Sequence, residues 1–105
     1  NYARTVVNVP GGTNQDLPEK FSLGDNYPNP FNPTTTINYA LPKNTDVTLK
    51  VYNLLGREVA TLVDGKQQAG RHQVKFDASS LASGVYFYRI TTPEFNQVHK
   101  MMLIK

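Results

Sequence analysis

Residues 47–63 read Val-Thr-Leu-Lys-Val-Tyr-Asn-Leu-Leu-Gly-Arg-Glu-Val-Ala-Thr-Leu-Val. Val47, Leu49 and Val51 alternate with Thr48, Lys50 and Tyr52, the period of two that marks a strand with one buried face. Asn53-Leu54-Leu55-Gly56 turns the chain, and residues 57–63 run back as a second strand. There Val59 and Val63 fall on one face and Ala60 and Leu62 on the other, a broken parity that a β-bulge would explain.

The same strand–turn–strand rhythm extends in both directions. A short strand opens at residues 21–23. In residues 35–41, Ile37, Tyr39 and Leu41 oppose Thr36, Asn38 and Ala40. In residues 71–77, His72, Val74 and Phe76 oppose Gln73, Lys75 and Asp77. Residues 84–91 are the most aromatic stretch, and Arg89 in water would turn Tyr86, Tyr88 and Ile90 inward. In residues 96–104, Lys100 outward sets Met101 and Leu103 inward. Residues 42–46 and 92–94 read as turns, residues 64–70 as a polar loop with glycine near each end. Residues 78–83 suit a single helical turn behind Asp77 as its N-cap. Tyr27-Pro28-Asn29-Pro30-Phe31-Asn32-Pro33 holds three prolines, which remove three donors and constrain the residues before them. That segment predicts a stiff, extended crossing loop. About seven short strands, spaced by about 8–12 residues, predict an all-β fold: an immunoglobulin-like antiparallel β-sandwich. The absence of Cys and Trp excludes an antibody-type core but not the sandwich.

With 105 residues the chain has the size of one domain. Residues 1–20 differ from the rest: residues 2–9 could add an edge strand, and Pro10-Gly11-Gly12 opens a run of breakers and small polar residues. We expect residues 1–20 to be a linker or the tail of an upstream domain, and residues 21–105 to be the sandwich. Residues 1–8 have no basic start followed by an apolar run, so a signal peptide is either removed or lies upstream. No stretch approaches the roughly 18–20 apolar residues of a membrane span. Without cysteine there are no disulfides, thiolate metal sites or thiol nucleophiles.

The net charge is +3, yet no two of the eleven Lys and Arg residues are adjacent, and eight acids are mixed among them. A phosphate-tracking groove wants a clustered stripe, so no nucleic-acid partner is expected. His72 and His99 lie in separate strands, away from any cluster with metal-ligand spacing. Ser79, Ser80, Ser83, His72 and Asp77 supply the residue types of a hydroxyl nucleophile with its base and orienter. No Gly-x-Ser-x-Gly elbow surrounds any of these serines, and turns use Ser and Asp for conformational reasons alone. We therefore expect no catalytic residue, no metal site, no cofactor and no enzyme activity.

One segment carries more. The stretch YPNPFNPTTTINY (residues 27–39) resembles the opening of the type A C-terminal sorting domain of the bacterial type IX secretion system. The resemblance continues through LKVYNLLGREVATLV (49–63) and VKFDASSLASGVYFYRI (74–90) into the terminal KMMLIK (100–105), covering about residues 21–105. It implies a domain at the C-terminus of a secreted cargo protein, which it directs across the outer membrane of a Gram-negative bacterium. It also implies passage through the periplasm, arrival at the cell surface or outside the cell, and removal by a sortase-like cysteine protease. A weaker similarity links the sequence to the immunoglobulin-like domain of flagellar hook-capping proteins.

Within this frame, Tyr27, Pro28, Asn29, Pro30, Phe31, Asn32 and Pro33, with Gly84 and Tyr86, are family-motif positions expected to be structural. Recognition by the secretion machinery is expected at Lys100, Met101, Met102, Leu103, Ile104 and Lys105. That strip is apolar on both parities, whereas a one-sided strand needs an apolar residue only at every second position. Met102 and Ile104 are thus left for a receptor to grip or extend by strand addition. A signal at the very end of a chain is presented only once the whole cargo exists. Two alternatives stay open: a carbohydrate-binding sandwich using Tyr27, Phe31, Tyr52 and Phe87 as stacking surfaces, and a structural spacer.

Overall fold

A computed structural model describes residues 17–105. The expected edge strand at residues 2–9 lies outside the described residues, as does the linker up to residue 16. Seven strands follow in order: β1 (Ser22–Leu23), β2 (Thr34–Leu41), β3 (Thr45–Tyr52), β4 (Glu58–Gln67), β5 (Gly70–Asp77), β6 (Gly84–Thr91) and β7 (Asn96–Leu103). They form a three-stranded sheet, β1-β2-β5, and a four-stranded sheet, β4-β3-β6-β7, with every strand pair antiparallel. The inward residues of both sheets share one core, which makes this the β-sandwich that the strand spacing predicts. The fourth strand sits beside β3 rather than beside β5, so the sheets split three to four.

The alternation in the sequence becomes the core directly. Ile37 and Leu41 of β2, Val47, Leu49 and Val51 of β3, Tyr88 and Ile90 of β6, and Met101 and Leu103 of β7 are all fully buried or within 1% of it. Each such side chain contributes roughly 1.5–3 kcal/mol on burial. Ala40 departs from the expected pattern: it is buried although its parity points outward, because it is flanked by Ser22 of β1 and Arg71 of β5.

The uncertain parity of residues 57–63 has a definite cause. Opposite β3, the register of β4 passes from Val63 to Thr61 between Leu49 and Lys50, and from Ala60 to Glu58 between Val51 and Tyr52. Leu62 and Val59 are the extra residues of two bulges. Each bulge resets the alternation, so Val59, Ala60, Leu62 and Val63 are all partly buried against the core.

Two expectations need correction. Residues 64–67 are not loop but the continuation of β4, paired with residues 45–48 of β3. Asp-Gly is turn chemistry in isolation; here the ladder holds it extended, with Gly65 at a φ of +148° that only glycine adopts without strain. Residues 78–83 form no helix. Leu81 N–H donates to Ala78 C=O at 3.0 Å, and the Asp77 carboxylate accepts from the Ser79 N–H at 2.9 Å. The result is a β-turn opened by an Asx-type contact, and the Ala82 carbonyl is taken by the Tyr86 hydroxyl rather than by a helical N–H.

Candidate functional site

The proline–asparagine segment crosses from one sheet to the other. Tyr27 bridges Thr36 of β2, and Phe31 forms a parallel bridge with Leu103 of β7. The expected crossing loop is therefore a clasp joining β2 to the terminal strand. It is braced from within: Asn26 Nδ2 donates to the Pro28 carbonyl at 3.2 Å and to Thr35 Oγ1 at 3.1 Å, while Thr35 Oγ1 donates to the Pro28 carbonyl at 2.9 Å. Tyr88 donates its hydroxyl to the Gly24 carbonyl at 2.7 Å, and burial pushes that phenol up to about 12.

At the far end the clasp meets β7 through three bonds. Phe31 N–H donates to Met102 C=O at 3.0 Å, Ile104 N–H donates to Phe31 C=O at 2.9 Å, and Met102 N–H donates to Asn29 Oδ1 at 3.1 Å. β7 is an edge strand, and an edge presents a row of unpaired backbone groups. Residues 29–31 cover that row at residues 102–104. Antiparallel pairing alternates, so Val98 and Lys100 aim their backbone groups the same way, beyond the clasp. Asn29, Pro30, Lys100 and Met102 border a shallow hollow there.

The six residues expected to be recognised divide into two sets. Met101 and Leu103 are 1% exposed and belong to the core, so a partner of the folded domain does not touch them. Met102 and Ile104 are 42% and 49% exposed, and Lys100 and Lys105 are exposed. Lys105 is held in place: its N–H donates to Ser83 Oγ at 3.1 Å and its Nζ to the Ser79 carbonyl at 2.6 Å. The same turn positions Asp77, whose carboxyl is held below its usual range chiefly by the Ser79 hydroxyl and N–H.

The family-motif positions also separate. Phe31, one of the four aromatics considered for stacking on sugars, is buried against Phe76 with ring centroids 6.2 Å apart. That choice is corrected: the Pro-Asn clasp drives this ring into the core. Tyr27 is 79% exposed, whereas Pro28, Asn29, Pro30 and Asn32 line the outer surface of the clasp. Tyr86, near the start of β6, donates its hydroxyl back to the Ala82 carbonyl at 2.7 Å, the arrangement of a tyrosine corner in immunoglobulin-like sandwiches. Gly84 precedes it at a φ of +152°. Gly84-Val85-Tyr86 is thus a structural corner.

The residue types that could suggest chemistry are engaged elsewhere. His72 donates from Nε2 to the Gln68 carbonyl at 2.7 Å and stacks on Tyr39. His99 stacks on Tyr88, with Nδ1 3.0 Å from Asp25 Oδ1. Ser79 is bonded to Asp77 rather than to an imidazole. Among the described residues no three His, Cys, Asp or Glu side chains gather to hold a metal, and no helix is long and apolar enough to cross a membrane.

The joining of clasp and terminal strand was not visible in sequence. The two segments are some seventy residues apart, and only the surplus apolar parity of residues 101–104 pointed to this place. Residues 25–105 match the model of a protein family described as the secretion system C-terminal sorting domain. No curated protein matches the chain.

Proposed function

We propose that this chain, which belongs to the family of secretion-system C-terminal sorting domains, displays its address on the surface built jointly by the last strand and the proline–asparagine clasp. The domain is a C-terminal sorting signal for type IX secretion and directs export across the outer membrane to the cell surface or the extracellular space. A sorting-signal domain is not itself catalytic. The observation that carries the site assignment is the exposure of Met102 and Ile104 on a strand whose inward neighbours are fully buried. These side chains stabilise little of the fold, yet the clasp and the Lys105 contacts hold them in a fixed frame. A rigid apolar pair bracketed by Lys100 and Lys105 is what a receptor can bind with little loss of entropy. Asn29 and Pro30, beside them, belong to the same surface.

The finer steps follow from the same reading. The cargo lies upstream, passes through the periplasm, and is separated from the domain by a sortase-like cysteine protease. Residues 17–20 precede the first strand, so a cut in or before them leaves the sandwich whole. The test is a reporter with an inner-membrane export signal at one end and residues 1–105 at the other, expressed in a host with the type IX machinery. Delivery of the reporter to the surface or the medium is the expected result. Retention of a folded reporter inside the outer membrane would overturn the reading.

A further inference from the structure

The two outer faces of the sandwich are unlike. On the three-stranded sheet the outward positions include Ser22, Thr36, Asn38, Gln73 and Lys75, as expected for an antiparallel sheet with one solvated side. On the four-stranded sheet the outward positions include Tyr52, Val85, Phe87, Val98 and Met102. Register makes them neighbours: Tyr52 lies opposite Phe87, Val85 opposite Met102, and Val98 opposite Arg89. Tyr52, Leu54, Phe87, Arg89 and Val98 line a groove of about 270 Å³. Leu54 is 69% exposed and Val98 45%. Single exposed apolar residues need no explanation, but a contiguous set marks an interaction surface.

Beside the groove the free charges are of one sign, whereas Asp46 and Asp64 stand farther along the same face, opposite Lys66 and Thr48. Lys50 is paired with Glu58 at 3.1 Å. The other ion pair of a Lys or Arg among the described residues is Lys43–Glu94, and Asp25 lies against His99, so Arg89 and Lys100 have no acidic partner there. Phe87 lies opposite Lys100 and beside Arg89, which puts both cations at the rim of the aromatic groove. A second copy docked by a two-fold axis would present the same cations to the same surface. A lipid surface has no side chain to fill a groove between two rings.

We infer that this face docks a protein segment that is both apolar and acidic, with an apolar side chain between Tyr52 and Phe87 and carboxylates on Arg89 and Lys100. The segment belongs to the secretion machinery, and the inference rests on the sorting reading above. Met102 is common to both surfaces, so the partner that meets the terminal strand continues onto the sheet.

The test uses the reporter joined to residues 1–105. Arg89→Glu reverses a rim charge, Leu54→Ser with Val98→Thr removes apolar surface at exposed positions, and Arg71→Glu reverses a charge on the opposite sheet. Both variants of the groove should slow export by about threefold or more, with Tm unchanged, and Arg71→Glu should export like the parent. If Arg89→Glu exports at the parent rate while Met102→Thr/Ile104→Thr is blocked, the inference fails and the sorting reading stands. If Met102→Thr/Ile104→Thr also exports normally, the inference and the terminal-strand address both fail, while the sorting function stands. Equal slowing by Arg71→Glu would mean a general charge effect and overturn the inference. So would parent domain that binds phosphatidylglycerol vesicles, or sediments as a dimer, through a contact that Arg89→Glu abolishes.

Discussion

Replacing Phe31 with Ala separates a core residue from a displayed one. The ring is 2% exposed, packs against Phe76 and sits on the segment that closes the edge of β7. Truncating a buried Phe to Ala costs about 3–5 kcal/mol. A domain of this kind has about 5–15 kcal/mol of stability in all. At about 4–8 °C per kcal/mol for a small domain, Tm should fall by about 12–40 °C. Asn29→Ala is the comparison. It removes only the acceptor for the Met102 N–H at an exposed position, worth about 0.5–1.5 kcal/mol. Thermal and urea unfolding followed by far-UV circular dichroism would resolve the two, with the urea slope unchanged if the unfolded state is the same. A Phe31→Ala domain whose Tm stays within about 4 °C of the parent would refute the clasp as a core element.

Three further outcomes follow. Gly84→Ala should destabilise by about 1–3 kcal/mol through backbone strain alone, since beyond its chain neighbours nothing lies within 4 Å of the added methyl group; a parent-like Tm would contradict this. Asp77 has its carboxyl lowered from 3.8 when folded, so its contribution is present above 3.8 and is lost as pH falls through the lowered value. Asp77→Asn should accordingly flatten the acid limb of a plot of Tm against pH, and an unchanged limb would refute the assignment. N-terminal sequencing of the released domain should place the protease cut between residues 9 and 21, whereas a cut within residues 47–90 would require the sandwich to open first.

What the sequence disclosed depended on how far each residue's role is local. Alternation is local, so the inward sets of β2, β3, β5, β6 and β7 could be read in advance, down to Met101 and Leu103 in and Met102 and Ile104 out. The length of β4 could not be read, because two bulges erased its parity and Asp64-Gly65 imitates a turn. Residues 78–83 suited a helical turn, but the Asp77 carboxylate binds the Ser79 N–H and the chain closes as one β-turn from Ala78 to Leu81. Phe31 looked exposed because a proline-rich loop usually is; its burial depends on Leu103 and Phe76, far along the chain. The joined surface of clasp and terminal strand was hidden for the same reason. Its two halves were each identifiable, while their hydrogen bonds belong to the folded state alone.

The central claim is that the outer side of the terminal strand is read as the address. Its most direct test is export of the reporter carrying Met102→Thr and Ile104→Thr, measured together with the Tm of the purified domain. Threonine preserves strand propensity while removing apolar surface, and partly exposed positions usually tolerate such changes within about 0.5 kcal/mol. Failed export with a Tm within a few degrees of the parent is the predicted result. Normal export of this variant would contradict the claim and move the recognised surface elsewhere on the sandwich.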